Sequence, residues 1–303
     1  MANFIIIVFC LLSGYILRIS KVVKPDGFKA INSWIIYIGL PATSFYYLPD
    51  LKWDHTLSLC VILPCFILLG AIVFIKGVGK LLQLSRRTTY TLMLVSGFSN
   101  TSFVGFPLVA SYFGEEYIKW AIISDQTTFF LLASVGTVIA LQGSGGARSS
   151  VPVSYILRRV LTFPPFVGSV LALSLSSVVD FSGLQPLFAQ LSATVSPLAL
   201  FSIGMQLSFN FYRSEVAVMA LSLLYKLCLG PGTLILATYL LGYSGRIAQV
   251  ANFEMAMPTL VSTSLLLQEF RLNAKLGNSV IGMSIVVGLF STWLAYQLIH
   301  VLL

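Results

Sequence analysis

The chain has 303 residues, of which 57% are hydrophobic and 9% charged, with a mean hydropathy of +0.92. A soluble domain carries about 25% charged residues, so this composition excludes an ordinary soluble enzyme, a disordered chain and a disulfide-built secreted scaffold. The net charge of +8, from 18 Lys and Arg against 10 Asp and Glu, falls in small clusters between apolar runs, the pattern of cytoplasmic loops rather than of a nucleic-acid-binding face.

Taken in chain order, the apolar runs predict spans near residues 2–19, 31–48, 56–75, 88–113 and 117–141. Five more follow near 156–178, 184–207, 214–241, 247–268 and 276–302. Ten spans of about 20 residues each fit the length with short loops. No positive charge precedes the first run, and Arg18, Lys21, Lys24 and Lys29 follow it. That order predicts a retained helix with its N-terminus outside, not a cleaved signal.

Alternation then places fourteen basic residues on the cytoplasmic side: Arg18, Lys21, Lys24, Lys29, Lys76, Lys80, Arg86, Arg87, Arg148, Arg158, Arg159, Arg213, Arg271 and Lys275. Only Lys52, Lys119 and Arg246 fall outside. The bias predicts a multi-pass protein of the cell (inner) membrane, with both termini outside. The four cysteines, Cys10, Cys60, Cys65 and Cys228, lie in apolar segments and read as small buried hydrophobes.

A Gly/Ser-rich stretch, Gln142 to Ser150, separates two sets of five spans. Five is odd, so a second copy of the unit enters the membrane inverted, an architecture of secondary transporters. The expected organisation is a first repeat over 1–141, a cytoplasmic linker over 142–155 and a second repeat over 156–303. Internal likeness points the same way. Pro41 lies twelve residues before Trp53 and Pro197 twelve before Phe209. Asn100 and Pro107 in the fourth span find counterparts in Asn252 and Pro258 of the ninth.

Proline inside a span removes a backbone hydrogen bond and clashes with the carbonyl four residues back. In lipid such a defect persists only against protein or a wet cavity. The polar segments Ser99 to Pro107 and Ala251 to Thr259 therefore predict discontinuous helices that cross at mid-membrane. Three ionisable residues fall inside spans: Asp125, Lys226 and Glu254. A charge at a span centre costs at least about 2.5–3.5 kcal/mol, so each needs a partner or water. Asp125 has Ser124, Gln126 and Thr128 beside it, and Glu254 lies four residues before Pro258. Such oxygen-rich clusters suit a hard cation or a proton. No His-Glu-x-x-His pair, P-loop or Gly-x-Ser-x-Gly elbow occurs, which leaves an enzyme without chemistry. His55 and His300 read as interfacial.

The crossing segments also carry a resemblance. Asn100-Thr-Ser-Phe-Val-Gly-Phe-Pro-Leu108 with Tyr112-Phe-Gly114, Glu254-Met-Ala-Met-Pro258 and Phe201-Ser-Ile-Gly-Met205 resemble stretches of the auxin efflux carrier family, in its bacterial members. The likeness runs over nearly the whole chain in span order. It implies the fold of bile-acid sodium symporters and sodium/proton antiporters. Spans 1, 2, 6 and 7 would then form a scaffold, and spans 3, 4, 5, 8, 9 and 10 a moving transport domain. It further implies a cation site, Na⁺ or H⁺, at Asn100, Thr101, Ser124, Asp125, Thr128 and Glu254. The long central loop of the plant PIN exporters is absent, and Glu254 replaces a neutral position there, which argues against auxin as the substrate.

The function expected is a secondary carrier of small organic anions by elevator-type alternating access. Asn100, Thr101, Pro107, Asn252, Pro258 and Lys226 are the expected substrate contacts, and Na⁺ would sit at Asp125, Glu254 and Asn100. A channel or a membrane sensor on the same fold is the competing class. Partners are the anion and the lipid bilayer, with a homodimer admitted and no nucleic acid; no cofactor is expected beyond Na⁺. The charge bias yields a direct test. Cysteines placed at Gly114 and Gly183 should label from outside, and one at Gly146 only after permeabilisation; the reverse pattern would discard the inverted repeat.

Overall fold

Long apolar runs leave backbone N–H and C=O groups no water to bond, so the chain closes those bonds within itself as helix. A computed structural model describes residues 2–145, 152–207 and 215–303. Regular structure there is helical throughout, with no β-strand among the described residues. The first part holds α1 (Ala2–Ile19), α2 (Phe28–Trp34), α3 (Leu40–Tyr47), α4 (Ser58–Leu81) and α5 (Arg86–Gly97). It continues through α6 (Phe106–Tyr112), α7 (Ile118–Leu131) and α8 (Thr137–Ser144). After them come α9 (Val153–Leu161), α10 (Pro164–Leu175), α11 (Gln185–Ala193) and α12 (Val195–Gln206). The last are α13 (Val216–Leu224), α14 (Gly230–Leu240), α15 (Arg246–Met255), α16 (Thr263–Glu269) and α17 (Ala274–Leu302). Part of the expected linker 142–155, with Arg148, and the segment before the eighth span, with Arg213, together with that span's first residue, Ser214, lie outside the described residues.

Five helical runs are long and apolar enough to cross a membrane: His55–Leu81, Glu115–Ser144, Ser182–Gln206, Val216–Leu240 and Ala274–Leu302. A sixth arises if α9 and α10, bent by 69° at their junction, form one span. The expected spans 88–113 and 247–268 fall short for a physical reason: each is cut in two, at residues 98–100 and 256–262. The chain is thus an all-helical, multi-pass membrane protein.

Prolines are accommodated in a recurrent way. Wide π-turns occupy Ile35–Gly39, Thr101–Gly105 and Tyr225–Leu229. Pro41, Pro107 and Pro231 each stand two residues beyond one of them. Proline cannot donate to the carbonyl four back and its ring pushes that carbonyl away. The residue before it bonds five back instead, Leu40 N–H to Ile35 O and Gly230 N–H to Tyr225 O. A π-turn lets the helix run on through the proline. Pro107 was expected to break the fourth span. It sits instead at the start of α6, in continuous helix, and the break lies before Thr101.

The chain divides into two compact units. Unit 1 comprises residues 1–53, 102–122 and 157–207; unit 2 comprises 54–101, 123–156 and 208–303. In unit 1, α1 packs on α12, and α3 on α10 and α11. Hydroxyl pairs cross these contacts, Thr43 with Ser192 at 3.0 Å and Ser44 with Ser169 at 2.9 Å. In unit 2, α5 packs on α4, α8 and α17, and α15 packs on α4. Asp54 opens α4's first turn by accepting from Thr56 N–H at 2.7 Å, and its bonds to Thr56 hold that exposed carboxyl below its ordinary range.

The α1–α12 contact depends on two glycines. A Cβ on Gly14 would lie 2.1 Å from the Phe201 carbonyl oxygen, and one on Gly204 would lie 2.1 Å from that of Leu11. The backbones touch, as small residues permit between membrane helices. Gly204→Val should therefore destabilise the protein by at least about 1–3 kcal/mol, the usual cost of overpacking. Gly77→Ala, with nothing within 4 Å of the added carbon, should be neutral. Thermal unfolding in detergent measures both; equal melting temperatures would show that the contact is loose.

Candidate functional site

The two interruptions in unit 2 meet. Residues 98–100 follow α5 and residues 256–262 follow α15, and both leave backbone groups without helical partners. They satisfy each other through an antiparallel bridge of Ser99 with Thr259. Asn100 N–H donates to Pro258 O at 2.8 Å, and Leu260 N–H donates to Phe98 O at 3.0 Å. The hydroxyls repeat the exchange: Ser99 Oγ donates to Met255 O at 3.2 Å and Thr259 Oγ1 to Val95 O at 2.8 Å.

These bonds obey a local two-fold. Residues 98, 99 and 100 correspond to 258, 259 and 260, and 95 to 255, each pair differing by 160. Arg86 and Arg246, which open α5 and α15, keep the same difference. The correspondence expected from sequence, Asn100 with Asn252 and Pro107 with Pro258, is therefore not the one the bonds follow. Asn252 lies inside α15, where its amide donates to Ala248 O at 2.9 Å and to Thr238 Oγ1 at 3.1 Å. Pro258 stands in the break itself, packed against Gly288 of α17.

Beside the breaks lies the polar cluster. Thr101 Oγ1 donates to Asp125 Oδ1 at 2.6 Å, and Thr128 Oγ1 donates to Ser124 O at 2.8 Å. Glu254, fully buried, has no hydrogen-bond partner on either carboxylate oxygen. Asp125 is close enough for its charge to act on Glu254. Asn100 Nδ2 is likewise buried and unpaired. Ser124 Oγ has no nitrogen or oxygen partner and faces the Cys60 thiol. A buried carboxylate without a hydrogen-bond partner, as Glu254 is, is costly. The donor set, carboxylate, amide and hydroxyl oxygens, is hard, and it fits Na⁺ or a proton rather than a transition metal. Among the described residues no three His, Cys, Asp or Glu side chains gather as a metal site.

Lys226 belongs to the bridge rather than to an open cavity. Its ammonium, fully buried, donates to Ser99 Oγ at 2.6 Å and to Met255 O at 3.2 Å. One turn earlier, Ser222 pairs with Ser96 at 2.7 Å. Sequence reasoning missed Ser99, Thr259 and Ser284, whose Oγ accepts from Thr259 N–H at 3.1 Å. A serine in an apolar helix carries little signal until its partner is known.

Unit 1 contains a cavity of about 400 Å³, walled by parts of α1, α3, α6, α11 and α12 and by the turn before α7. Pro107 lines it together with the hydroxyls of Thr43, Ser111, Ser192 and Ser196. Glu115 is the one charged residue of the lining. The other expected substrate contacts, Asn100, Thr101, Asn252, Pro258 and Lys226, lie in unit 2.

Two comparisons bear on this arrangement. The chain is 28% identical over 291 residues to an uncharacterized transporter of Methanothermobacter thermautotrophicus, covering 92% of each chain. It is 27% identical over 286 residues to an uncharacterized transporter of Methanocaldococcus jannaschii, covering 90% of each. The family model described as membrane transport protein matches residues 1–296. The chain belongs to this membrane transport protein family, the auxin efflux carrier-like group, whose members are transporters rather than enzymes.

Proposed function

We propose that the protein is a secondary carrier of small organic anions, coupled to Na⁺ or H⁺, that works by elevator-type alternating access. The observation that carries this reading is the Glu254 carboxylate, buried without a hydrogen-bond partner beside Asp125 and two mutually paired helix breaks. A structural ion pair would satisfy such a group. A site that takes up and releases a cation leaves it open. Asp125, Glu254, Asn100, Thr101, Ser124 and Thr128 are the proposed ion ligands; bound there, the cation would neutralise the carboxylates.

The two-fold among the break hydrogen bonds supports ten spans arranged as a 5+5 inverted repeat, with both termini outside. Alternating access would then move the ion-binding part relative to a scaffold. In the unit 1 cavity, Ser196, with Tyr46 and Tyr47 of the same lining, would supply hydroxyl donors for a carboxylate, since Thr43, Ser111 and Ser192 donate within the protein, and the apolar walls suit an organic body. Each negative charge on a ligand also meets Glu115, so the cavity favours monocarboxylates over dicarboxylates.

Binding measured by thermal shift tests this proposal, because a ligand stabilises the folded form that binds it. The probes are 3-phenylpropionate, malonate and malate, across Na⁺ at fixed pH and then across pH without Na⁺. One ion should strengthen probe binding about 5–150-fold, the usual span of coupling between sites. If the ion is H⁺, binding strengthens as the pH falls. Asp125→Asn and Glu254→Gln should abolish the effect. Wild-type binding indifferent to both ions would make the cluster structural and end the coupling proposal.

A further inference from the structure

Among the described residues, the buried charged side chains are Asp125, Glu254 and Lys226, two negative and one positive. The coupling proposal uses the two carboxylates and leaves the lysine unexplained. Its position is specific. Met255 is the last residue of α15, a ten-residue helix; the N–H groups of Ala256 and Met257 take up the Asn252, Phe253 and Glu254 carbonyls, which leaves Met255 O, at the negative end of the helix dipole, to side-chain donors. Half-helix ends of this kind hold coupling cations in other transporters. Here the Lys226 ammonium occupies that end, 3.2 Å from Met255 O and 2.6 Å from Ser99 Oγ.

The local two-fold supplies an internal control. At the related position, Thr259 Oγ1 bonds directly to Val95 O at 2.8 Å. Around Lys226 the corresponding hydroxyl-to-carbonyl bond is longer, 3.2 Å, and the ammonium bonds to both of its oxygens. The side of the break that carries the cation also differs in its neighbours. Ser284 takes the Thr259 N–H, whereas Ser124, 160 residues earlier, has no such bond and faces the ion cluster.

We propose that Lys226 is a tethered cation filling a monovalent-cation site built from Ser99 Oγ and Met255 O, which leaves one exchangeable cation, at Asp125 and Glu254, per transport cycle. The claim rests on the coupling reading for the exchangeable ion alone. Two carboxylates and one ammonium leave one net negative charge, which one monovalent ion neutralises. Removing the ammonium frees a second place for a cation, the oxygen pair of Ser99 Oγ and Met255 O at a helix C-terminus.

The experiment counts bound ²²Na⁺ per chain on the purified full-length protein in detergent, with monodispersity checked by gel filtration. Lys226→Met should bind one more Na⁺ than wild type. Lys226→Arg, which keeps the charge, should bind no more than wild type. Equal counts in wild type and Lys226→Met would overturn the proposal. Should Lys226→Met not fold, Lys226→Gln takes its place, and the wild-type count still decides, because two ions per wild-type chain overturn the proposal without any variant. A wild-type count of zero rejects sodium at Asp125 and Glu254, and a gain from zero to one in Lys226→Met still supports the tethered cation.

Discussion

A backbone group that leaves a helix inside a membrane must find a partner in protein, because lipid offers none. The paired breaks of unit 2 are built around that constraint. Each interruption frees N–H and C=O groups, and the other interruption takes them up, first through the Ser99–Thr259 bridge and then through the two hydroxyls. The helix ends α5 and α15 are thereby fixed against each other. The fixed ends in turn create what a continuous helix lacks: a terminal carbonyl, Met255 O, that accepts from side chains at the negative end of a helix dipole. Lys226 bonds to that carbonyl and to Ser99 Oγ.

A second constraint is the cost of charge in a low-dielectric interior. Asp125 is held by Thr101, and Lys226 by Ser99 and Met255, but the Glu254 oxygens have no hydrogen-bond partner. That unanswered carboxylate is the observation on which the proposed ion coupling rests. Unit 1 follows a different logic. Its glycine contacts and hydroxyl pairs tie helices closely, and its cavity is mostly apolar with scattered hydroxyls.

Much of this was legible in the sequence because membranes impose simple rules. Apolar runs gave the helices, and polar, glycine-containing stretches near residues 99–107 and 251–259 marked where spans fail. Asp125, Glu254 and Lys226 stood out because charge is rare there. What proved illegible depended on register and direction. Proline alone suggested that Pro107 breaks its span, but a π-turn absorbs Pro107 as others absorb Pro41 and Pro231. Matching residue names paired Asn100 with Asn252, whereas hydrogen bonds pair positions 160 apart and leave Asn252 within α15. Lys226 sits in the π-turn Tyr225–Leu229, which packs against α4, α5 and α17, and no local pattern encodes those partners. Ser99 matters through Lys226 and Met255, 127 and 156 residues away, and Ser284 through Thr259, 25 residues away.

Gradient-driven uptake tests most directly whether the buried cluster couples ion and solute. Proteoliposomes would be given an inward Na⁺ gradient, and separately an inward H⁺ gradient, with whichever of the three carboxylate probes binds best. Accumulation of the probe above its external concentration under one gradient, reduced to simple equilibration in Glu254→Gln, is the expected result. Equilibration in the wild type under both gradients, unchanged by Glu254→Gln, would contradict ion coupling at Asp125 and Glu254.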